Sequence, residues 1–503
     1  MNTSTICPEK LIEENSLLKK EVATLKEQLE WFRRQIFGKR SEKNIEKAAD
    51  NELYFEGFEK FFSQPPQSKK LVVSAHTRTV RSHNGQDSIT LPEDLPVQRQ
   101  VIDLPEKDKI CAETGLPLTK IGEEVSRKLA FQPGSYYIKE IVRPKYALPQ
   151  ASEEGIKTAP LPETLLDRCL ADESFLADIM TKKFGDHLPL HRIAEMLSRE
   201  GIGISRQILS KWIIRVGNAL TPLYEEMKKE ILKSGNVFID ETPVSMLEGG
   251  KGKCHQAYMW VLVGGCGATP YLRVYSFQTN RNYCHAEQLL EGYASVLHSD
   301  KYGAYERMAQ KKQIVWIPCW AHIRRKFVEA ESGDIPFRDW VLRKIRYLFM
   351  FERIAWNRSE EERLRIRREK EAPIIDELIR AIRDKLEHGC ALPKSKYREA
   401  LGYFCGLIPY LKNYIDHPYA RLDNNLAERA VRSVAIGRKN WLFVGNEAGG
   451  KAAAVILSLV QTCRALNINP REYLEDVMRR LMRHPAKRLH ELLPNEWQSA
   501  TST

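Results

Sequence analysis

The sequence predicts a multidomain α+β protein, and three stretches carry that reading. A heptad run opens the chain, apolar strands alternate with amphipathic helices over residues 236–330, and a helical stretch rich in Arg, Glu and Leu fills 337–416. The 503 residues leave room for roughly three or four domains at about 150 residues each.

The heptad run comes first. Leu11, Asn15, Leu18, Val22, Leu25, Leu29, Phe32 and Ile36 step alternately by four and three residues, with Lys and Glu beside them. This a/d seam predicts a leucine-zipper coiled coil over 9–43, with Asn15 at an a position fixing register and a two-stranded state. A single amphipathic helix packed on its own chain is the competing account. Past the seam, Lys39 and Arg40 belong to a basic collar suited to phosphate, or to a solvated helix end. Residues 44–104 are polar and broken by prolines, and read as a linker. Residues 105–160 form a small strand-rich module, marked by Val125, Leu129 and the run Tyr136-Tyr137-Ile138-Lys139-Glu140-Ile141-Val142.

Residues 164–233 read as a helical, helix-turn-helix domain. His191–Leu197 forms a first helix, Gly201-Ile202-Gly203 the turn, and Ser205 caps a second helix through Val216. Gln207, Lys211 and Arg215 recur at i, i+4, i+8, a polar stripe able to reach bases and phosphates in a major groove. Ordinary three-helix packing with a solvated face explains the same pattern.

From 234 to 450 the order is three strands, a helix, a strand, a helix and a strand, with a helical insertion at about 333–420 before the last helix. That is a ribonuclease-H-like order, and it would serve as a catalytic core. Asp240 closes the run Asn236–Ile239 on the first strand, Asp300 follows the fourth, and Glu428 lies on the late helix. Three such carboxylates can hold two hard cations, Mg²⁺ with Mn²⁺ as a substitute, against a phosphodiester. Each acid alone has ordinary explanations: Asp240 a turn cap, Asp300 a helix start, Glu428 an i+4 pair with Arg432. Arg432, Arg438 and Lys439 could hold phosphates near the acids, or balance Glu428 and line a solvated loop. Cys319-x-x-His322, Cys254-His255 and His298 read as structural, because no second ligand pair accompanies them. Residues 451–503 form a C-terminal helical region, where Asn469 caps, Pro470 takes the first helical position and Glu472 completes a capping box.

Composition narrows the class. Lys and Arg exceed Asp and Glu to give a net charge of +12, which favours a polyanionic partner such as double-stranded DNA. The ten cysteines show no C-x-x-C spacing, so neither a disulfide framework nor a zinc ribbon is written here, and reduced cytosolic thiols are expected. Met1–Thr5 lacks a signal-peptide pattern. The apolar run Ala452–Val460 is too short for a bilayer, which takes about 20 residues, so no membrane association is expected.

Taken together, Phe37–Lys43, Val142–Ala147, Val237–Pro243, Cys319–Phe327, Asn424–Ala430 through Gly437–Trp441, and Glu491–Trp497 resemble the DDE transposase of the insertion sequence 66 family, its large subunit, over nearly the whole chain. The resemblance implies Asp240, Asp300 and Glu428 as the metal-binding triad, and binding, cleavage and strand transfer at an element's terminal inverted repeats. It implies a homodimer or higher assembly, small accessory proteins of the same element as partners, and a bacterial cytoplasmic, nucleoid-associated setting. A catalytically silent DNA-binding protein, a repressor or domesticated remnant, is the alternative. Two departures stand out. The family's zinc cluster has lost its cysteine pairs, with only Cys111 left, Thr114 where a second cysteine would be expected and none in Ala147-Leu148-Pro149-Gln150, so a degenerate zinc-finger-like module without zinc is expected. Lys301 also follows Asp300 where a glycine is usual.

Overall fold

A computed structural model describes residues 95–498 apart from 111–114, 133, 148–155, 249–251, 266–270, 312 and 390. The zipper seam, Lys39, Arg40, Cys111 and Thr114 fall outside the described residues. The fold is mixed α/β with two mixed sheets.

The first sheet is built on a long hairpin of β2 (Thr119–Gln132) and β3 (Ser135–Ala147), which turns at Gly134 with φ +88°. That backbone conformation suits a residue without Cβ. β1 (Val97–Val101) joins β3 in parallel, and β4 (Lys157–Thr158) pairs with it antiparallel. β1 lies in the stretch read as linker, so the module begins near residue 95 rather than 105. All five of its side chains are exposed, so it has no buried face and no alternation to betray it. Leu129, Ile138 and Val142 are buried on one face of the hairpin and Ile141 on the other.

Four helices follow: α1 (Glu173–Met180), α2 (Leu190–Arg199), α3 (Arg206–Ala219) and α4 (Thr221–Leu232). α2 and α3 form the expected helix-turn-helix. Gly201 takes φ +76° in the turn, and Ser205 Oγ accepts from Ile208 N at 3.3 Å. Leu209, Trp212, Ile213 and Val216 bury one face of α3, which runs on to Ala219 rather than ending at Val216.

The second sheet holds β5 (Asn236–Leu247), β6 (Cys254–Gly264), β7 (Leu272–Gln278), β8 (Val296–Ser299) and β9 (Val315–Pro318), in the order β7-β6-β5-β8-β9. β5, β6 and β7 run antiparallel, while β8 and β9 continue parallel to β5. The helices α5 (Tyr283–Leu289), α6 (Gly303–Gln310) and α7 (Trp320–Glu329) alternate with the later strands. Every strand and helix anticipated over 236–330 is present.

The insertion is helical as expected: α8 (Ile335–Ala355), α9 (Glu360–Ile366), α10 (Ala372–His388) and α11 (Lys396–Cys405). Its interior contains a fully buried arginine. Arg367 grips both carboxylate oxygens of Glu352, Nε to Oε1 at 2.6 Å and Nη2 to Oε2 at 2.9 Å. Its remaining N–H groups donate to the carbonyls of Tyr414, His417 and Ala420 at 3.0, 2.8 and 2.7 Å. All five guanidinium donors are therefore used, and the segment returning to the sheet is pinned by them.

That segment delivers α12 (Asn425–Trp441), followed by β10 (Phe443–Val444), α13 (Glu447–Ala465) and α14 (Pro470–Arg480). Asn469 caps α14, accepting from Arg471 N at 3.1 Å, and its amide meets Glu472 at 2.7 Å. The apolar run in α13 is a buried core helix, and no described helix is long and apolar enough to cross a membrane. α13 also covers the sheet edge. Ser458 Oγ accepts from Tyr275 N at 2.8 Å and Thr462 Oγ1 from Arg273 N at 3.0 Å, so hydroxyls stand in for the missing neighbour of β7.

Candidate active site

The three acids arrive from three elements. Asp240 stands on β5, but in mid-strand opposite Val261 rather than at its end. β8 runs beside β5 only from Asn236 to Phe238, and β10 meets it only at Ser245 and Met246. Asp240 therefore lies where one edge of a central strand is open. Pro243 fits the same gap. Its carbonyl accepts from Arg438 Nη1 at 2.6 Å, so its N, which has no hydrogen to give, faces away from β6. Asp300 follows the end of β8, where Ser299 Oγ donates to its carbonyl at 2.8 Å and accepts from Trp316 Nε1 at 2.8 Å. Glu428 lies in the first turn of α12.

Two buried hydrogen bonds set where α12 begins. Asn424 Nδ2 donates to Ile239 O at 2.8 Å, directly beside Asp240, and Asn424 N donates to Cys319 Sγ at 3.2 Å. His298, stacked on Phe238 at 4.1 Å, accepts from Arg421 N through Nε2 at 2.9 Å. Burial pushes its imidazole down to about 3, so it is a neutral acceptor, a structural role in keeping with the sequence reading. Trp320 N completes the seam by donating to Leu422 O at 2.8 Å.

The structure brings the acids within electrostatic reach of one another. Burial first, then repulsion from Glu241, Asp300 and Glu428, pushes the Asp240 carboxyl up to about 8. Burial also raises Asp300, with Glu428 adding to it and His322 and Arg281 opposing. Glu241 is raised by burial and by Asp300, although Arg281 Nε donates to its Oε1 at 2.7 Å. Arg281 is itself held over the Tyr302 ring at 4.5 Å, while Tyr302 OH donates to its carbonyl at 2.6 Å. Four carboxyl groups thus share one region with one arginine pinned beside them.

Several polar atoms here have no hydrogen-bond partner although they are buried: Glu428 Oε1, His322 Nδ1 and Asn424 Oδ1. His322 Nδ1 lies 3.6 Å from Glu428 Oε1. Ligand atoms of Cys319, His322 and Glu428 all fall within 4.8 Å of one another. Read from sequence, Cys319-x-x-His322 has no part in the acid cluster. The signal for it lies in its position, directly after the last core strand, where the chain must pass the open end of the sheet. Burial pushes the Cys319 thiol up to about 12, so it is a neutral group beside the acids.

The other site residues separate into two groups. Gln207 and Lys211 are exposed on α3, whereas Arg215 Nη2 donates to Asp167 O at 2.5 Å and ties α3 to the preceding loop. Arg432 and Lys439 are exposed on α12. Arg438 instead bonds Thr242 Oγ1 at 2.8 Å as well as Pro243 O, docking α12 onto β5. Glu428 faces the His322 imidazole at 3.6 Å rather than pairing with Arg432, and burial holds that imidazole toward its neutral form.

The family model described as "Transposase IS66 family" matches residues 168–452, a span that holds all three acids. The chain belongs to the IS66 transposase family. A model described as "IS66 C-terminal element" matches 458–495, and one described as "Transposase C of IS166 homeodomain" matches 24–99. The last covers the later part of the heptad run and the stretch read as linker, and it gives this family member a DNA-binding N-terminal region. Similar proteins occur in Sinorhizobium fredii. "Uncharacterized protein y4hP" is 30% identical over 96% of this chain and 90% of its own length. "Uncharacterized protein y4jD" is 31% identical over 81% and 82%, and "Uncharacterized protein y4qI" 30% identical over 78% and 74%.

Proposed function

We propose that this IS66 transposase is a DDE enzyme that cleaves DNA at the ends of its element and joins them to target DNA. The observation that carries the reading is the convergence of Asp240, Asp300 and Glu428 on the open edge of β5. Support comes also from the sheet order, in which an antiparallel β7-β6-β5 unit is extended by parallel β8 and β9, a ribonuclease-H-like arrangement with the insertion ahead of the last acid.

The donor set fits hard divalent cations. Buried carboxyls repel one another, and the unpartnered Glu428 Oε1 is an oxygen suited to such an ion. Asp240, Asp300 and Glu428 would hold two Mg²⁺ ions, which supply Lewis-acid activation of the attacking hydroxyl and neutralise charge on the leaving oxygen. Asn424 sets the distance between Glu428 and Asp240 by anchoring α12 to the Ile239 carbonyl. Arg281 draws Glu241 to one side, which leaves the triad's carboxylates free for the cations. The exposed Gln207, Lys211, Arg432 and Lys439 suit a long polyanion rather than a small substrate. A zipper over the N-terminal heptads would bring two copies to paired element ends.

Asp240→Asn tests the assignment on duplexes carrying the DNA that flanks the gene. Nicking with Mg²⁺ is expected to fall at least about a thousandfold while end binding persists. Retained nicking would remove Asp240 from the machinery and the proposal with it.

A further inference from the structure

The insertion carries cations that its own chain leaves unanswered. A groove of about 750 Å³ between α7 and α8 is lined by Arg324, Arg343, Arg346 and Arg353, with Phe349 among them. All four arginines are exposed, and among the described residues none of their guanidinium groups has an ion pair or hydrogen bond. The acid in the groove, Asp339, is taken by Arg338 at 2.7 Å. Nearby cations of the insertion are closely paired, Lys344 with Glu377 at 2.5 Å, Lys385 with Asp334 at 2.5 Å and Lys412 with Asp376 at 2.6 Å. The groove thus gathers four unanswered guanidinium groups in one place.

The spacing says what that face can hold. Arg343, Arg346 and Arg353 follow one side of α8, and the ten residues they span rise about 15 Å along the helix. That is a track rather than a point, and it matches about four nucleotides of one strand at 3.4 Å each. Guanidinium groups bind phosphate oxygens bidentately. The track also leads toward the acids. Arg324 is two residues beyond His322, whose Nδ1 lies 3.6 Å from Glu428.

We propose that the α7–α8 groove is a phosphodiester-backbone track that holds duplex DNA, without regard to sequence, on the insertion side of the scissile bond. This rests on the DNA-cleaving reading of the same region, but it can be tested without cleavage. Binding of the full-length protein to a duplex of about 20 base pairs, unrelated to the element, is followed by fluorescence anisotropy across a salt series. The comparison is with Arg343→Gln/Arg346→Gln/Arg353→Gln, and with Lys229→Gln/Lys233→Gln/Lys311→Gln as an equal charge change on surfaces where each lysine has an acid partner.

The arginine variant is expected to bind about tenfold or more weakly at about 0.15 M salt. Its log–log salt slope should be shallower by roughly 2 to 3, at about 0.9 for each phosphate no longer neutralised. The lysine variant should match the wild type. Equal affinity and slope for the arginine variant and the wild type would overturn the track while leaving the cleavage reading intact. A wild type that binds no duplex would overturn both. Arg346→Glu, a single change at an exposed position, gives the same test should the triple variant misfold, and it too should flatten the slope.

Discussion

Two buried charge clusters in this chain are built on opposite terms. In the insertion, Arg367 has a partner for every donor, and Glu352 takes two of them. Glu371, beside Glu352, is pushed up to about 8 by burial and by that neighbour. Its Oε2 accepts from Tyr414 OH at 2.5 Å, its Oε1 is buried without a hydrogen-bond partner, and a carboxyl raised that far holds its proton, so the cluster is neutral although one oxygen is unanswered. At the edge of β5 the balance is reversed. Asp240, Glu241, Asp300 and Glu428 face one arginine and a histidine that burial holds toward its neutral form, and buried oxygens lack partners. A satisfied buried ion pair fixes geometry, whereas an unsatisfied one persists because something outside the chain completes it. The first cluster is scaffolding for the second, since Arg367 pins the segment that delivers Glu428.

The largest effect should come from breaking the satisfied cluster. Arg367→Met leaves Glu352 buried without its counter-ion and three carbonyls without donors. A loss of about 3 to 5 kcal/mol is expected in denaturant unfolding, together with loss of nicking. A stability change under about 1 kcal/mol would show that the network is dispensable.

Removing an acid from the unsatisfied cluster should do the opposite. Glu428→Gln is expected to fold at least as stably as the wild type in EDTA, since one source of repulsion has gone. Mg²⁺ at about ten times its Kd should stabilise the wild type by about 1.4 kcal/mol and the variant much less. Equal Mg²⁺ protection of both proteins in thermal unfolding would deny the acids a shared cation.

The last test is a pH dependence. The folded-state value of Glu371, about 8, lies above the roughly 4.3 of an unfolded chain. Its protonated form is thus favoured by folding, and the associated stability declines as pH rises from about 4 to 8. Glu371→Gln stays neutral throughout. Its Tm relative to the wild type should therefore climb between about pH 4 and 8, and a constant difference would place the proton elsewhere.

Much of this can be read from residues alone, and the exceptions share a cause. The strands over 236–330 alternate clearly or run apolar, and acids at their ends or on the following helix stand out against them. Asp240 reads as terminal because Glu241-Thr242-Pro243 looks like a turn. The strand continues there because β6 still pairs with it and the open edge tolerates proline. Arg367 is invisible for a different reason. Among so many Arg and Glu residues of one helical stretch, the member that turns inward has no distinguishing neighbour pattern, and arginine is mostly exposed. β1 lacks a buried face altogether. The partnership of His322 with Glu428 joins residues over a hundred positions apart, and only the folded insertion closes that distance.

The hydroxyls that α13 offers to β7 have a consequence for damaged copies of the gene. A premature stop before residue 447 would yield a polypeptide whose sheet ends in a bare row of amides. Such a margin recruits strands from identical neighbours. Truncated products are therefore expected in the insoluble fraction, cleared by proteases, rather than persisting as competitors that occupy DNA without acting on it.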